Sequence, residues 1–136
     1  MNLDYFISKG DVKKIPIDNI RAKSLIRASD QTVKSALSIK LNGITLKTIF
    51  RELYEGLREY CEAIGFLKGY KFLNHESITF FIEEVLGEKN VSIEFDRYRK
   101  LRNGINYYGN DIQEETVKEA LINIPILIKE LEKYVK

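Results

Sequence analysis

FDRYRKLRNGINYYGN, Phe95 to Asn110, places four cations (Arg97, Arg99, Lys100 and Arg102) and three tyrosines (Tyr98, Tyr107 and Tyr108) on one stretch of chain. Phe95, Tyr98, Leu101, Ile105 and Tyr108 recur at intervals of three and four, so the stretch reads as a helix with those five side chains inward. Arg102 falls at the edge of that stripe, beside Tyr98 and Asn106. There a guanidinium can bury its stem and keep its planar head free for a phosphate or a carboxylate. Gly104 interrupts the same helix. An interior glycine costs about 1 kcal/mol against alanine, and close approach of another backbone or of a ligand would explain it.

On either side of this stretch the pattern stays helical. Upstream, Ser92 is placed to cap the motif helix. Before that, Asn74 caps a short helix with the stripe Ile78, Phe81, Ile82 and Val85, stopped by Gly87. Downstream, Asp111 and Glu114 have the spacing of a capping box, and Val117, Leu121, Ile124, Ile128, Leu131 and Val135 form a long inward stripe. Pro125 lies inside that helix and is expected to kink it, because it removes one hydrogen bond and crowds the preceding turn.

Earlier in the chain two long helices are expected. One starts near Asp18 and runs to about Lys40, with small side chains (Ala22, Ser29, Ala36) on its apolar face. Small residues allow close helix packing, so it belongs at the centre of the bundle or in a subunit contact. Asn42 and Gly43 read as a left-handed stop, Thr45 as the next cap, and Ile44 with Ile49 as a hydrophobic staple. The second long helix, about Leu46 to Leu67, turns Ile49, Phe50, Leu53, Leu57, Tyr60, Cys61 and Ile64 inward. Its charges read as a solvated face with local ion pairs, or as a source of one glutamate that orients the Arg102 region. Residues 1–17 read as an N-terminal arm with at most a helical turn, and Lys68 to Asn74 as a basic, aromatic loop. No strand pattern is visible. The architecture expected is an all-α, up-and-down antiparallel bundle of four to five helices, forming one domain over residues 1–136.

Composition narrows the function. Of 136 residues 44% are hydrophobic, enough for one core, and 22 basic against 20 acidic residues leave a formal charge of +2. Any affinity for nucleic acid must therefore come from a local patch. The single cysteine, Cys61, excludes an internal disulfide and reads as a buried thiol. No apolar run of membrane length and no signal-peptide pattern is seen, so a cytoplasmic protein is expected. There is no glycine-rich phosphate loop, no paired-cysteine motif and no histidine cluster, and hence no reason to expect a metal or a cofactor. His75, the only histidine, falls in the first turn of the short third helix, where capping or surface exposure is its ordinary role. Its functional role would be to supply a titrating group, provided the fold brings it to the motif helix.

The run RNGINYYG resembles the signature of HEPN domains, small prokaryotic helical bundles found in RNA-targeting toxins, in defence systems and beside minimal nucleotidyltransferases. Their pattern is an arginine, a polar residue, a histidine about five positions after the arginine and often a tyrosine close behind. Arg102 and Asn103 match its opening, Tyr107 stands where the histidine belongs, and Tyr108 fills the tyrosine position. LKGYKFLNHESITFF, Leu67 to Phe81, is similar to the connection between the second and third helices of archaeal members. The resemblance implies an RNA-associated protein of toxin–antitoxin or defence type, with Arg102, Asn103, Tyr107 and His75 as candidate catalytic residues and Arg97, Arg99, Lys100 and Tyr108 as candidate RNA contacts. Its chemistry would be a degenerate or weak metal-independent endoribonuclease. An arginine would stabilise charge on the phosphate and a histidine would move protons, a task for which a phenol of pKa about 10 is poorly suited. The alternative that it implies is a non-catalytic dimeric interaction module that partners a minimal nucleotidyltransferase. A homodimer is expected on either reading.

Overall fold

The computed structural model describes every residue from Met1 to Lys136. Six α-helices follow one another: α1 (Leu3–Lys9), α2 (Asn19–Ser38), α3 (Leu46–Lys68), α4 (Glu76–Glu84), α5 (Lys89–Tyr108) and α6 (Glu114–Leu131). A 3-10 turn at Glu132–Tyr134 ends the chain, and two short strands, β1 (Val12–Lys14) and β2 (Tyr70–Phe72), pair antiparallel. The fold is the expected all-helical bundle with this ribbon added.

α3 is its axis. Twelve of its residues are buried, among them Phe50, Leu53, Tyr54, Leu57 and Ile64, and it packs against α2, α4, α5, α6 and β2. Burial on that scale follows from a helix apolar around most of its circumference. α2, of nearly equal length, buries only Ala22, Ser29 and Ala36. Their seven-residue spacing makes one narrow seam against α3, so the small residues serve packing within the chain. Ser29 donates its hydroxyl to the carbonyl of Gly56 at 2.6 Å. A Cβ on Gly56 would stand 2.5 Å from Val33 Cγ2, so glycine is what lets the two helices approach. On α3, Arg58 pairs along the helix with Glu55 and Glu62. Glu59 has its Oε1 buried and unpartnered and its carboxyl pushed up by desolvation.

The N-terminal arm is more ordered than a docking arm with a helical turn. Asn2 caps α1 by accepting from the Tyr5 amide at 2.9 Å, and Leu3 and Phe6 enter the main core. Phe6 packs on Phe80 of α4 with ring centroids 5.4 Å apart. Val12 pairs with Phe72 across the ribbon, and both are buried. Three-residue strands are too short to show an alternating pattern, and one buried pair holds this one in place. Gly69 ends α3 at φ 86°, and a Cβ there would lie 2.8 Å from the Ile15 carbonyl. The turn that launches β2 therefore requires glycine on both counts.

Four local expectations are corrected. Ile44 is 93% exposed, so no staple forms with Ile49, and Asn42 instead accepts from the amides of Ile44 and Thr45 in a turn. α2 stops at Ser38, and Gly43 does not take a left-handed conformation. Ser92 lies inside α5, which starts three residues earlier, and its hydroxyl donates to the Lys89 carbonyl. Asp111 caps nothing: its carboxylate is exposed beside Lys47, and α6 begins after Gln113.

Candidate functional site

α5 delivers the motif and α4 faces it. The inward stripe holds for Phe95, Tyr98 and Ile105, with Leu101 partly buried. It fails at Tyr108, which is 79% exposed because the bundle has ended by then. Gly109 closes the helix at φ 65°, and the amides of Gly109 and Asn110 both donate to the Gly104 carbonyl. Asn110 thereby folds back over the helix, and a Cβ on Gly104 would come 2.8 Å from its side-chain nitrogen. The close neighbour that Gly104 admits is thus the chain's own Asn110.

The four cations of the motif meet different fates. Arg97 lies over the Tyr98 ring and bridges Glu94 (2.9 Å) and Glu119 of α6 (2.6 Å). Arg99 is nearly buried, donating to Asp96 at 2.7 and 2.9 Å and reaching Glu76 of α4 at 3.8 Å. Lys100 pairs with the other oxygen of Asp96 at 3.1 Å. Arg97 and Arg99 therefore hold helices together, and Lys100 is only partly free. Arg102 alone makes no ion pair. Its guanidinium lies 5.9 Å from the ring centroid of Tyr54 and 6.0 Å from that of Tyr107.

Arg102 opens onto a cleft of about 410 Å³ between the start of α4 and the last turns of α5. Leu73, Asn74, His75 and Glu76 form one wall, and Arg99, Arg102, Asn103 and Tyr107 the other. The four candidate catalytic residues thus share one space, although His75 and the motif are far apart in sequence. Of the candidate RNA contacts, Arg99 lies in its wall, whereas Arg97, Lys100 and Tyr108 are outside it. Asn74 caps α4 by accepting from the Ser77 amide at 2.9 Å, which fixes the neighbouring His75 at the helix start.

His75 is half-buried, and its Nδ1 is 3.0 Å from the hydroxyl of Tyr54, a buried side chain of α3 that the sequence reading did not single out. The bond runs from the Tyr54 hydroxyl to Nδ1 when the imidazole proton rests on Nε2, and from Nδ1–H to the Tyr54 oxygen in the other tautomer. Burial, with Arg58 and Arg102 nearby, lowers the pKa of His75 to about 4. Burial likewise raises that of Tyr54. At neutral pH the cleft accordingly holds a neutral imidazole and a free guanidinium. The nearby Glu55 is held below the usual carboxylate range by its hydrogen bond from Arg58, whose Nε is 2.7 Å away. It therefore stays charged but turned to Arg58, so no glutamate orients Arg102. No group of three or more His, Cys, Asp or Glu side chains converges anywhere as a metal site.

A larger groove, about 620 Å³, runs between α2 and α6 over Ile26, Val33 and Ile128, and contains none of these residues. The candidate catalytic residues converge on the smaller cleft and not on this groove. Cys61 is fully buried, its thiol pushed up to about 12 by desolvation, which leaves it inert. No helix is long and apolar enough to cross a membrane. Comparison with protein-family models, with curated proteins and with solved structures returns no match to this chain.

Proposed function

We propose that the chain is an RNA-associated, HEPN-like protein that holds a single-stranded RNA phosphate in the α4–α5 cleft and cleaves the adjacent bond weakly and without a metal. The observation that carries this reading is Arg102, the unpaired cation of the motif, facing His75, Asn103 and Tyr107 in one cleft. Arg102 supplies the charge for a phosphate, His75 Nε2 and Asn103 supply directional hydrogen bonds, and Tyr107, 68% exposed, offers a face on which a base can stack.

The same geometry accounts for weak cleavage. Attack of the ribose 2′-hydroxyl on the neighbouring phosphorus breaks the bond to the 5′-oxygen, gives a 2′,3′-cyclic phosphate and requires one proton to leave and another to arrive. In the Nε2–H tautomer His75 has no lone pair facing the cleft, and with its low pKa it is a poor base. The 2′-proton then passes to solvent, and the departing 5′-oxygen takes its proton from solvent. The arrangement stabilises charge on the phosphate and lacks an efficient proton acceptor. Cleavage of an oligonucleotide in the presence of a chelator, assayed for the parent and for Arg102→Ala, tests the reading. Residual activity lost with Arg102 supports it, and RNA binding that is indifferent to Arg102 overturns it.

One observation favours the alternative of a dimeric interaction module that partners a nucleotidyltransferase. Tyr108 is 79% exposed beyond the end of the bundle, with no role in the cleft. Light scattering of the chain alone and with such a partner separates the two readings.

A further inference from the structure

The two strands carry a charge arrangement that the fold does not need. Lys13 and Lys71 stand directly opposite each other in the register of β1 and β2. Opposite residues of an antiparallel pair project to the same side, and like charges there repel. Val12 and Phe72 are buried, so the neighbouring pair points the other way, outward. Neither lysine has a carboxylate partner. Lys14, by contrast, is engaged with the Tyr70 hydroxyl at 3.0 Å. The ribbon thus sets two lysines side by side, neither of them in an ion pair.

Their position relates them to the cleft. β2 ends at Phe72, and the next residues, Leu73, Asn74 and His75, form a cleft wall. Lys71 and Leu73 are two residues apart on extended chain, about 7 Å, and Leu73 is 54% exposed. At this end the Leu73 amide donates to the Asp11 carbonyl, and the Asp11 carboxylate is drawn to Lys9 at 3.8 Å.

Building on the cleft reading above, we propose that the outer face of the β1–β2 ribbon is a second phosphate-binding surface, which receives a single-stranded RNA as it leaves the cleft past Leu73. Lys13 and Lys71 contact the backbone, the repulsion between them is relieved when a phosphate sits between them, and the cleft holds one nucleotide at the end of this track. The substrate is therefore an RNA strand running beyond the reactive phosphate, and a mononucleotide fills only the cleft.

The test uses the full chain and two probes, oligouridylate and uridine 5′-monophosphate. The double variant Lys13→Thr with Lys71→Thr keeps β-forming residues in both strands, so the ribbon is expected to persist and its melting temperature to stay level or rise. It should bind oligouridylate about tenfold more weakly, with the slope of log affinity against log salt reduced by about 0.7, the worth of the one phosphate that the two lysines share on a single strand. Uridine 5′-monophosphate should bind parent and variant alike. Asp11→Asn should tighten oligouridylate alone. Equal oligouridylate affinity and slope in parent and double variant overturns the ribbon surface, and leaves the cleft reading standing if Arg102→Ala still weakens both probes. Weakening of both probes by the lysine changes, with a lower melting temperature, assigns the ribbon a structural role only and also overturns it. A parent that binds neither probe overturns both readings.

Discussion

The seam between α2 and α3 and the cleft between α4 and α5 are both contacts between helices, yet they are built on opposite terms. At the seam Ser29 meets Gly56, Ala22 packs with Ala63 and Phe66, the one hydroxyl is satisfied, and a single added carbon on Gly56 would touch Val33. At the cleft the start of α4 and the last turns of α5 leave a gap, a cation is left without a counter-ion, and a histidine is held neutral by burial. The first arrangement tolerates no change in volume and is indifferent to anions. The second tolerates changes in volume and responds to charge. The contrast separates a contact built for stability from the cleft in which we propose that function resides, and each side can be perturbed without the other.

The largest effect is expected from volume at the seam. Gly56→Leu should destabilise the fold by about 3 kcal/mol or more, as overpacking of a tight contact does, seen as a fall in melting temperature. Arg102→Ala should leave the melting temperature within error, because no ion pair is lost, while weakening RNA binding by about tenfold or more, the scale of one charge-assisted contact. If Arg102→Ala proved as destabilising as Gly56→Leu, the division between the two regions would fail.

A smaller but more specific effect concerns Tyr107. Replacing it by histidine in a cleft with Arg102 intact supplies a group that titrates near neutrality. Tyr107→His should cut single-stranded RNA faster than the parent, and the double variant Arg102→Ala with Tyr107→His should not. Loss of the parent's activity on His75→Ala, with no gain from Tyr107→His, would return proton transfer to His75.

The subtlest test is pH. The folded pKa of His75, about 4, lies below the ordinary 6.5, so between these values the unfolded chain binds a proton that the folded chain does not. The contribution is fully present above pH 6.5 and is lost as pH falls toward 4. The depressed carboxyls, Glu55, Glu88 and Asp96, have ordinary values of 4.5, 4.5 and 3.8 and act lower, while the raised Glu59 acts in the opposite sense above 4.5, equally in parent and in any His75 variant. A melting temperature that declines from pH 6.5 to about 4.5 in the parent, and is flatter in His75→Asn, is expected. Identical profiles would show that His75 is not held neutral by the fold. Because the chain has one histidine, its imidazole resonances report this titration directly, and Tyr54→Phe should shift the tautomer balance toward Nδ1–H.

The seam was largely legible in the sequence and the cleft only in part. Repeating small residues on α2 and the apolar periodicity of α3 are consequences of local spacing, which sequence displays. Asp18 and Asn74 were readable as caps for the same reason, since each serves an amide three residues ahead. The motif residues and His75 could be named, but their meeting depends on how α4 docks on α5, a fact of tertiary packing. Tyr54 was missed because a tyrosine on a buried stripe looks like core, and its hydroxyl partner lies on another element. Lys13 and Lys71 gave no signal as a pair because nothing in three-residue strands announces their register. Thr45 and Asp111 show the reverse failure: each carries the right residue type for a cap, and each side chain found another partner.

The pairing of β1 with β2 also bears on the order in which the chain acquires its structure. The ribbon joins Val12–Lys14 to Tyr70–Phe72, so a loop containing all of α2 and α3 must close before a ladder hydrogen bond between them can form. Closing a loop of that length costs entropy that only a docked α3 can offset. β1 therefore waits for the middle of the chain. Pulsed hydrogen exchange during refolding should find the amides of β1 protected after those of α3, and until then α1, with Leu3 and Phe6 still uncovered, is the part of the molecule most open to a protease.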